Sequence, residues 1–380
     1  MLTGIKLYNY TTFIKETIFD FNATNYKILE KTNVGSNRVL KGAIFVGENA
    51  SGKTQVLDSI ILLLDLLLDN VEQNFLLKKS LYTTTSKYSL EYEFNVDNNI
   101  VNYKITFDGN NISSEKLFIN SDLKLERINT SGTTYFGEEK DNNDINLNLS
   151  LLKLEYYNTR FNNDVILNKL FDYLKNSIYI NCLNKNIKSY NPTKTVEQFI
   201  GKYAQCNNEK NLNKLLKNIG YNSEVVFKKK KNDTFSTDET EVGLRKVGTN
   251  VFMPMYRESA GNQALMNVIL PFSYAVKNNC MLIIDEFSSG LHNELEEALI
   301  KYFYNNSNDS QLFLTSHSTN ILDTSIIRPD QIYSFRFDAK KGTLIKRFSD
   351  ENPRESQNIE KMYLNGVFDG MPNYNKEFKD

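Results

Sequence analysis

Gly47, Gly52, Lys53 and Thr54 stand at the spacing G-x-x-x-x-G-K-T. A glycine turn of this length lets successive backbone N–H groups converge on one anion, and a helix N-terminus behind it adds partial positive charge. At that spacing the Lys53 ammonium reaches the β- and γ-phosphates of a nucleoside triphosphate, and the Thr54 hydroxyl sits on Mg²⁺. The predicted ATP contacts are Gly47, Asn49, Ala50, Ser51, Gly52, Lys53, Thr54 and the adjoining Gln55. The flanks agree with this reading. The apolar run Gly42-Ala43-Ile44-Phe45-Val46 reads as a buried strand, and the stretch from Gln55 to Leu62 has helical apolar spacing without a breaker.

A second group of residues supplies the other half of phosphoryl chemistry. Met281-Leu282-Ile283-Ile284 reads as a buried strand delivering Asp285 and Glu286 to a sheet edge beside the glycine turn. There Asp285 holds Mg²⁺ through water, and Glu286 polarises the attacking water. Gln311-Leu312-Phe313-Leu314-Thr315-Ser316 is another such strand, ending at His317, which is placed to meet the γ-phosphate or that water. The catalytic set is thus Lys53, Glu286 and His317, and the metal set Thr54 and Asp285. Between the two halves, Ser259, Gly261 and Gln263 open a helix carrying Leu265, Met266, Val268 and Ile269. Small residues at a helix start form an anion site. If it is not part of the 47–54 cradle it needs another phosphate, which a second subunit's nucleotide would provide. His292, after Ser288-Ser289-Gly290-Leu291, is read either as the start of a helix or as a residue at a subunit junction.

The elements that must position these residues form a mixed α/β chain. The first 30 residues read as strands, with Thr17–Phe21 able to pair with the first ten. Tyr88–Val96 and Ile100–Phe107 alternate strictly around Asp97-Asn98-Asn99, which is a hairpin pattern. From about 150 to 220 the period becomes helical, with Ile166, Leu167, Leu170, Phe171 and Leu174 on one face and Leu212, Leu215, Leu216 and Ile219 on another. The lysines 228–231 and the polar stretch from Asn232 to Thr240 read as an exposed loop closing a helical insertion. The lysine run is a solvated turn or a contact for phosphate backbone or an acidic partner. Strand–helix alternation resumes near 250, and a hairpin (Ile332–Phe337 with Thr343–Lys346) precedes a polar tail.

Bulk properties narrow the function. At 380 residues the chain holds one large or two ordinary domains, and a net charge of −1 makes no global demand for nucleic acid. Cys182, Cys206 and Cys280 fit no disulfide framework, which points to a reducing cytoplasm. With only His292 and His317, a histidine-rich metal site is excluded. No secretory signal opens the sequence, and the apolar run Ile60–Leu68, broken by Asp65, is too short to span a bilayer, so a soluble protein is expected.

Taken in order, the glycine loop, hairpin layer, insertion, Ser-x-Gly-x-Gln helix start, Ile-Ile-Asp-Glu, Ser-Gly-Leu-His and Thr-Ser-His resemble ABC-type ATPase heads of the RecF, SMC and OLD group. Within it the chain most resembles bacterial "AAA family ATPase" proteins associated with abortive infection and phage defence. Arg257–Gly261, Asp285–Phe287, Ser289–His292, Gln311–His317, Arg328–Tyr333 and the tail Glu360–Pro372 carry that resemblance over nearly the whole chain. It implies an N-terminal half-head (1–150), a helical, lid-like insertion (151–245), a C-terminal half-head (246–345) and a tail (346–380). It also implies a head-to-head homodimer, or higher oligomer, enclosing two ATP and Mg²⁺, with Ser259 and Gly261 capping the partner's γ-phosphate. Ala260 and Asn262 depart from the usual residues there, and no glutamine in the hairpin region matches the magnesium-sensing one of such heads.

Three functions fit this implication. The first is an ATP-driven sensor or scaffold in a defence system, controlling a separate effector such as a nuclease. The short tail leaves no room for the carboxylate-rich nuclease domain that OLD proteins carry. The second is a RecF- or SMC-like ATPase acting on DNA, although the insertion shows no sustained heptads. The third is a nucleotide-gated module with slow or no turnover, against which the Asp285–Glu286 pair argues.

Overall fold

The computed structural model describes residues 1–69, 74–191, 209–230, 239–289 and 291–371. Cys206, Lys231, most of the polar stretch after it, Gly290 and Pro372 lie outside the described residues.

A seven-stranded sheet organises the site. Its order is Asn186–Ser189, Ile178–Asn181, Met281–Asp285, Gln311–Thr315, Gly42–Gly47, Ile332–Asp338, Gly342–Arg347. The five inner strands are parallel and the two edge strands antiparallel. Gly42–Gly47, Met281–Asp285 and Gln311–Thr315 are buried at every position. Parallel strands covered on both faces read as continuous apolar runs, which is why these three are recognisable in sequence. Ala43, Phe45, Ile283 and Phe313 face a core shared with the helix Lys53–Leu68 and the antiparallel layer. Ile44, Val46, Ile284 and Leu314 face a second core, shared with the helices Ala260–Ala275 and Asn293–Asn306.

The antiparallel layer has eight strands between Leu2 and Asn142. Leu2–Tyr8 pairs with Thr17–Asp20 on one side and with Lys87–Val96 on the other. The hairpin Lys87–Val96/Asn99–Asp108 turns on Asp97 and Asn98, at φ 49° and 66°. Two successive positive φ values suit the right-handed strand twist, and Asp and Asn tolerate them.

Residues 151–245 are not the helical insertion expected, which is a correction. Leu151–Thr159, Val165–Lys175 and Glu209–Asn218 are helical, but Ile178–Asn181 is a core strand beside Met281–Asp285. Ser223–Lys230 pairs with Glu239–Lys246, so Lys228 lies on a strand rather than in a loop, its ammonium 4.0 Å from the Phe252 ring centre. The β-branched pair Val225-Val226 followed by Phe227 favours extended backbone, and the lysine run masks that preference.

Candidate functional site

The parallel strands end in register. Asn181 pairs with Asp285, Ile284 with Leu314, Thr315 with Phe45 and Gly47 with Phe335, so Asn181, Asp285, Thr315 and Gly47 gather at one carboxyl edge. Open α/β sheets bind ligands at such an edge.

Gly47 has φ 145°, and a Cβ there would meet the Phe335 carbonyl oxygen at 2.3 Å. Gly52, at φ 109°, leads directly into the helix Lys53–Leu68, and a Cβ there would meet Thr343 Oγ1 at 2.6 Å. Both positions therefore require glycine. Between them Ser51 Oγ donates to Glu48 O at 2.8 Å, while Asn49 and Ala50 are exposed. Lys53 is buried and donates to the carbonyls of Gly47 (2.9 Å) and Glu48 (2.7 Å). Burial pulls its ammonium below the ordinary lysine range, and Glu286, Asp285 and Glu48 oppose that pull.

Gln55 Oε1 accepts from Thr11 Oγ1 (2.9 Å), from Thr12 N (3.2 Å) and from Thr12 Oγ1. Its side chain thus fastens the loop to the Thr11–Thr12 corner. Thr343 completes this wall by donating to Ser51 O at 2.8 Å.

Asp285 is the junction of the site. Its Oδ1 accepts from Thr54 Oγ1 (3.0 Å) and Thr315 Oγ1 (2.7 Å), and its Oδ2 from Asn181 Nδ2 (3.1 Å). The Gln311–Thr315 strand lies between Asp285 and the loop strand, yet the carboxylate still reaches Thr54. Thr315 Oγ1 also receives the Glu286 N–H at 2.8 Å. Glu286 has φ 57°, a left-handed conformation that costs a residue with a Cβ about 1–3 kcal/mol. Its carboxylate Oε2 lies 3.6 Å from His317 Nε2, with both side chains partly exposed. His317 N donates to Ser288 Oγ at 3.3 Å.

Lys53, Thr54, Asp285, Glu286 and His317 are therefore brought together. Asn181 and Thr315 belong to the same web: Asn181 escapes sequence reasoning, and Thr315, although it stands in the Thr-Ser-His motif, gives no sign there of its bonds to Asp285 and Glu286, because both depend on strand order. The donor set fits Mg²⁺, which takes hard oxygen ligands and needs only one or two from protein when phosphates supply others. Among the described residues no cluster of three or more His, Cys, Asp or Glu forms a self-contained metal cage.

Ser259, Gly261 and Gln263 lie elsewhere. The helix Ala260–Ala275 packs on the sheet face opposite Lys53–Leu68. Ser259 is its N-cap, accepting from Asn262 N at 3.3 Å. Ser259, Ala260 and Gly261 are exposed, and a Cβ on Gly261 would meet nothing within 4 Å. Gln263 Nε2 donates to Met255 O (3.0 Å) and Glu258 O (3.1 Å), which holds its own loop closed.

Residues 43–323 match the family described as "AAA domain, putative AbiEii toxin, Type IV TA system". The chain belongs to that family. No curated protein matches its sequence. Among solved structures it is similar to the SmcHead bound to the C-winged helix domain of ScpA, at 12% identity and TM-score 0.54 over 90% of this chain and 96% of that one. It is also similar to the SMC head domain from Thermotoga maritima (12% identity, TM-score 0.48, 90% and 97% covered). A third is the Smc head with an extended coiled coil bound to the C-terminal domain of ScpA derived from Pyrococcus furiosus (11% identity, TM-score 0.49, 92% and 97% covered). The SmcHead likeness at 0.54 shows that this AAA-family member has the fold of that head. No helix among the described residues is long and apolar enough to cross a membrane.

Proposed function

We propose that this protein binds and hydrolyses ATP with Mg²⁺, and that two copies close on two nucleotides to form the working state. The observation that carries the reading is the single hydroxyl of Thr315, which orients both Asp285 and Glu286 beside the glycine loop. Lys53 and the loop N–H groups would hold the phosphates, and Thr54 and Asp285 the metal, which lends its charge to phosphoryl transfer. Glu286 would orient water and take its proton, with His317 beside it. Asn181 stands where an amide can report on Asp285, a role that no glutamine of the hairpin layer fills. The exposed Ser259–Gly261 turn, on the sheet face away from the loop helix, suits a phosphate held by a second subunit.

Such a dimer serves as the sensor or scaffold of an antiviral, abortive-infection system, controlling a separate effector nuclease in the cytoplasm. The family description, which names a toxin of a type IV TA system, supports that setting. The SmcHead bound to part of ScpA offers a precedent for a head that engages a second protein.

Phosphate release from Mg-ATP by the purified chain tests the reading. The wild type should turn over, and Lys53→Ala and Glu286→Gln should not. A wild-type chain that neither binds nor hydrolyses ATP would refute it. Salt-sensitive DNA binding by the chain alone would favour a direct action on DNA instead.

A further inference from the structure

The segment 359–371 supplies no residue to the proposed chemistry, yet it touches both the glycine-loop side and the His317 side of the site. Its short helix Ile359–Leu364 is seated by Ile359 and Tyr363, which are buried, and Asn358 caps it by accepting from Lys361 N at 2.8 Å. Phe368 is buried too and stacks on Phe348, with ring centres 3.8 Å apart. Tyr363 Oη donates to Gly370 O at 3.2 Å, which closes the segment on itself. The Ser334 hydroxyl donates to Phe368 O, and a Cβ on Gly370 would meet Phe335 O at 2.9 Å. Phe335 is the residue paired with Gly47, so this platform is fixed to the strand beside the glycine loop's own.

The platform's other contact is with the loop that follows the strand Gln311–Thr315. Glu360 Oε1 accepts from Thr319 Oγ1 at 2.8 Å, across 41 residues of sequence. Thr319 stands two residues beyond His317. The His317 side is exposed, and the N–H groups around it bond to serine hydroxyls: His317 N to Ser288 Oγ at 3.3 Å and Ser318 N to Ser316 Oγ at 3.0 Å. Beyond it, Thr319 O accepts from Leu322 N at 2.9 Å, and Asn320 Nδ2 donates to Asn293 O (3.2 Å) and Glu297 Oε1 (3.1 Å). The Thr319–Glu360 bond is thus a direct tie between the His317 turn and the tail. A side chain acting on a reacting group must be held to within about 0.5 Å, which a loop achieves through supporting bonds of this kind.

We propose that Glu360 is a positioning residue of the nucleotide site: by holding Thr319 it sets the loop that brings His317 to Glu286. The tail is thereby part of the ATPase machinery. The proposal rests on the function above for what His317 does to a nucleotide, whereas the tie between tail and loop can be tested without one.

Glu360→Leu and Thr319→Val each remove the bond, and Glu360→Gln keeps an acceptor oxygen for it. Amide hydrogen exchange of the ATP-free protein is read on peptides spanning 316–322. It should be faster than wild type in Glu360→Leu and in Thr319→Val, no faster still when the two are combined, and near wild type in Glu360→Gln. In steady-state ATPase assays the two bond-removing variants should lose about 10–100-fold in kcat with KM for ATP unchanged, and Glu360→Gln should recover. The proposal is overturned if exchange over 316–322 matches wild type in Glu360→Leu, or if the two substitutions act additively. It is also overturned if kcat is unchanged while the wild type is active. Loss of folding in both Glu360→Leu and Thr319→Val would overturn it as well, since the bond would then be structural. A wild type without ATPase activity would count against the proposed function, while the exchange measurement would still decide whether Glu360 holds the loop.

Discussion

The Thr315 hydroxyl donates to Asp285 Oδ1 at 2.7 Å while accepting the backbone N–H of Glu286 at 2.8 Å, so one side chain sets two neighbouring acids. Asp285 is aimed at Thr54, and Glu286 is held in its left-handed turn facing His317. Removing this one hydroxyl should therefore disturb metal and water positioning together.

Thr315→Val keeps the shape and deletes both bonds. Outer-shell partners of this kind are typically worth about 10–100-fold in metal affinity or activity. The expected outcome is a fall of that size in ATP turnover with a raised Mg²⁺ requirement, and recovery in Thr315→Ser. Steady-state kinetics across a magnesium titration would check it.

Lys53 is buried and donates two of its three N–H groups to the carbonyls of Gly47 and Glu48, so under the proposed function a phosphate oxygen would take the third. Truncating one side of a desolvated charge contact costs about 2–5 kcal/mol. Lys53→Ala should accordingly lose ATP affinity by roughly 30-fold or more. Ligand-induced thermal shift gives the readout: Mg-ATP should raise the wild-type Tm, and the variant should need at least that much more nucleotide for the same rise.

The Arg328–Tyr333 stretch, part of the family resemblance, is structural. Arg328 and Asp330 are fully buried and pair at 2.7 Å, Arg328 also donates to Tyr26 O and Ile28 O, and Asp330 accepts from Thr24 N and Oγ1. Burial would raise the Asp330 carboxyl, but Arg328 and Thr24 outweigh it and hold it below the ordinary range. With the folded pKa below the unfolded one, its contribution is complete above the unfolded value of about 4 and is lost as pH falls through the folded value. Asp330→Ala should destabilise by about 3–5 kcal/mol, because a buried guanidinium loses its counter-ion. Arg328→Met with Asp330→Leu should recover much of that loss. Denaturant melts at pH 7 and pH 3 would measure both effects.

Residues whose roles follow from local spacing are legible in the sequence. The glycine loop, Asp285 and His317 each sit on a short motif attached to a continuously apolar strand. Asn181 is not, because its place comes from strand order: Ile178–Asn181 lands beside Met281–Asp285 from about a hundred residues away in sequence, and the Thr315 bonds to Asp285 and Glu286 depend on strand order too. A four-residue strand between a helix and a polar turn offers too few positions for alternation to show.

Glu286→Gln keeps the backbone and removes the base, so ATP should be held unhydrolysed between two copies capped by Ser259 and Gly261. Size-exclusion chromatography with light scattering, at micromolar protein and saturating Mg-ATP, measures this most directly. The variant should run as a dimer of the 43.9 kDa chain, reverting to monomer without ATP or when Ser259→Arg is added. A Glu286→Gln protein that binds ATP yet stays monomeric, or a dimer that survives Ser259→Arg unchanged, would contradict the ATP sandwich.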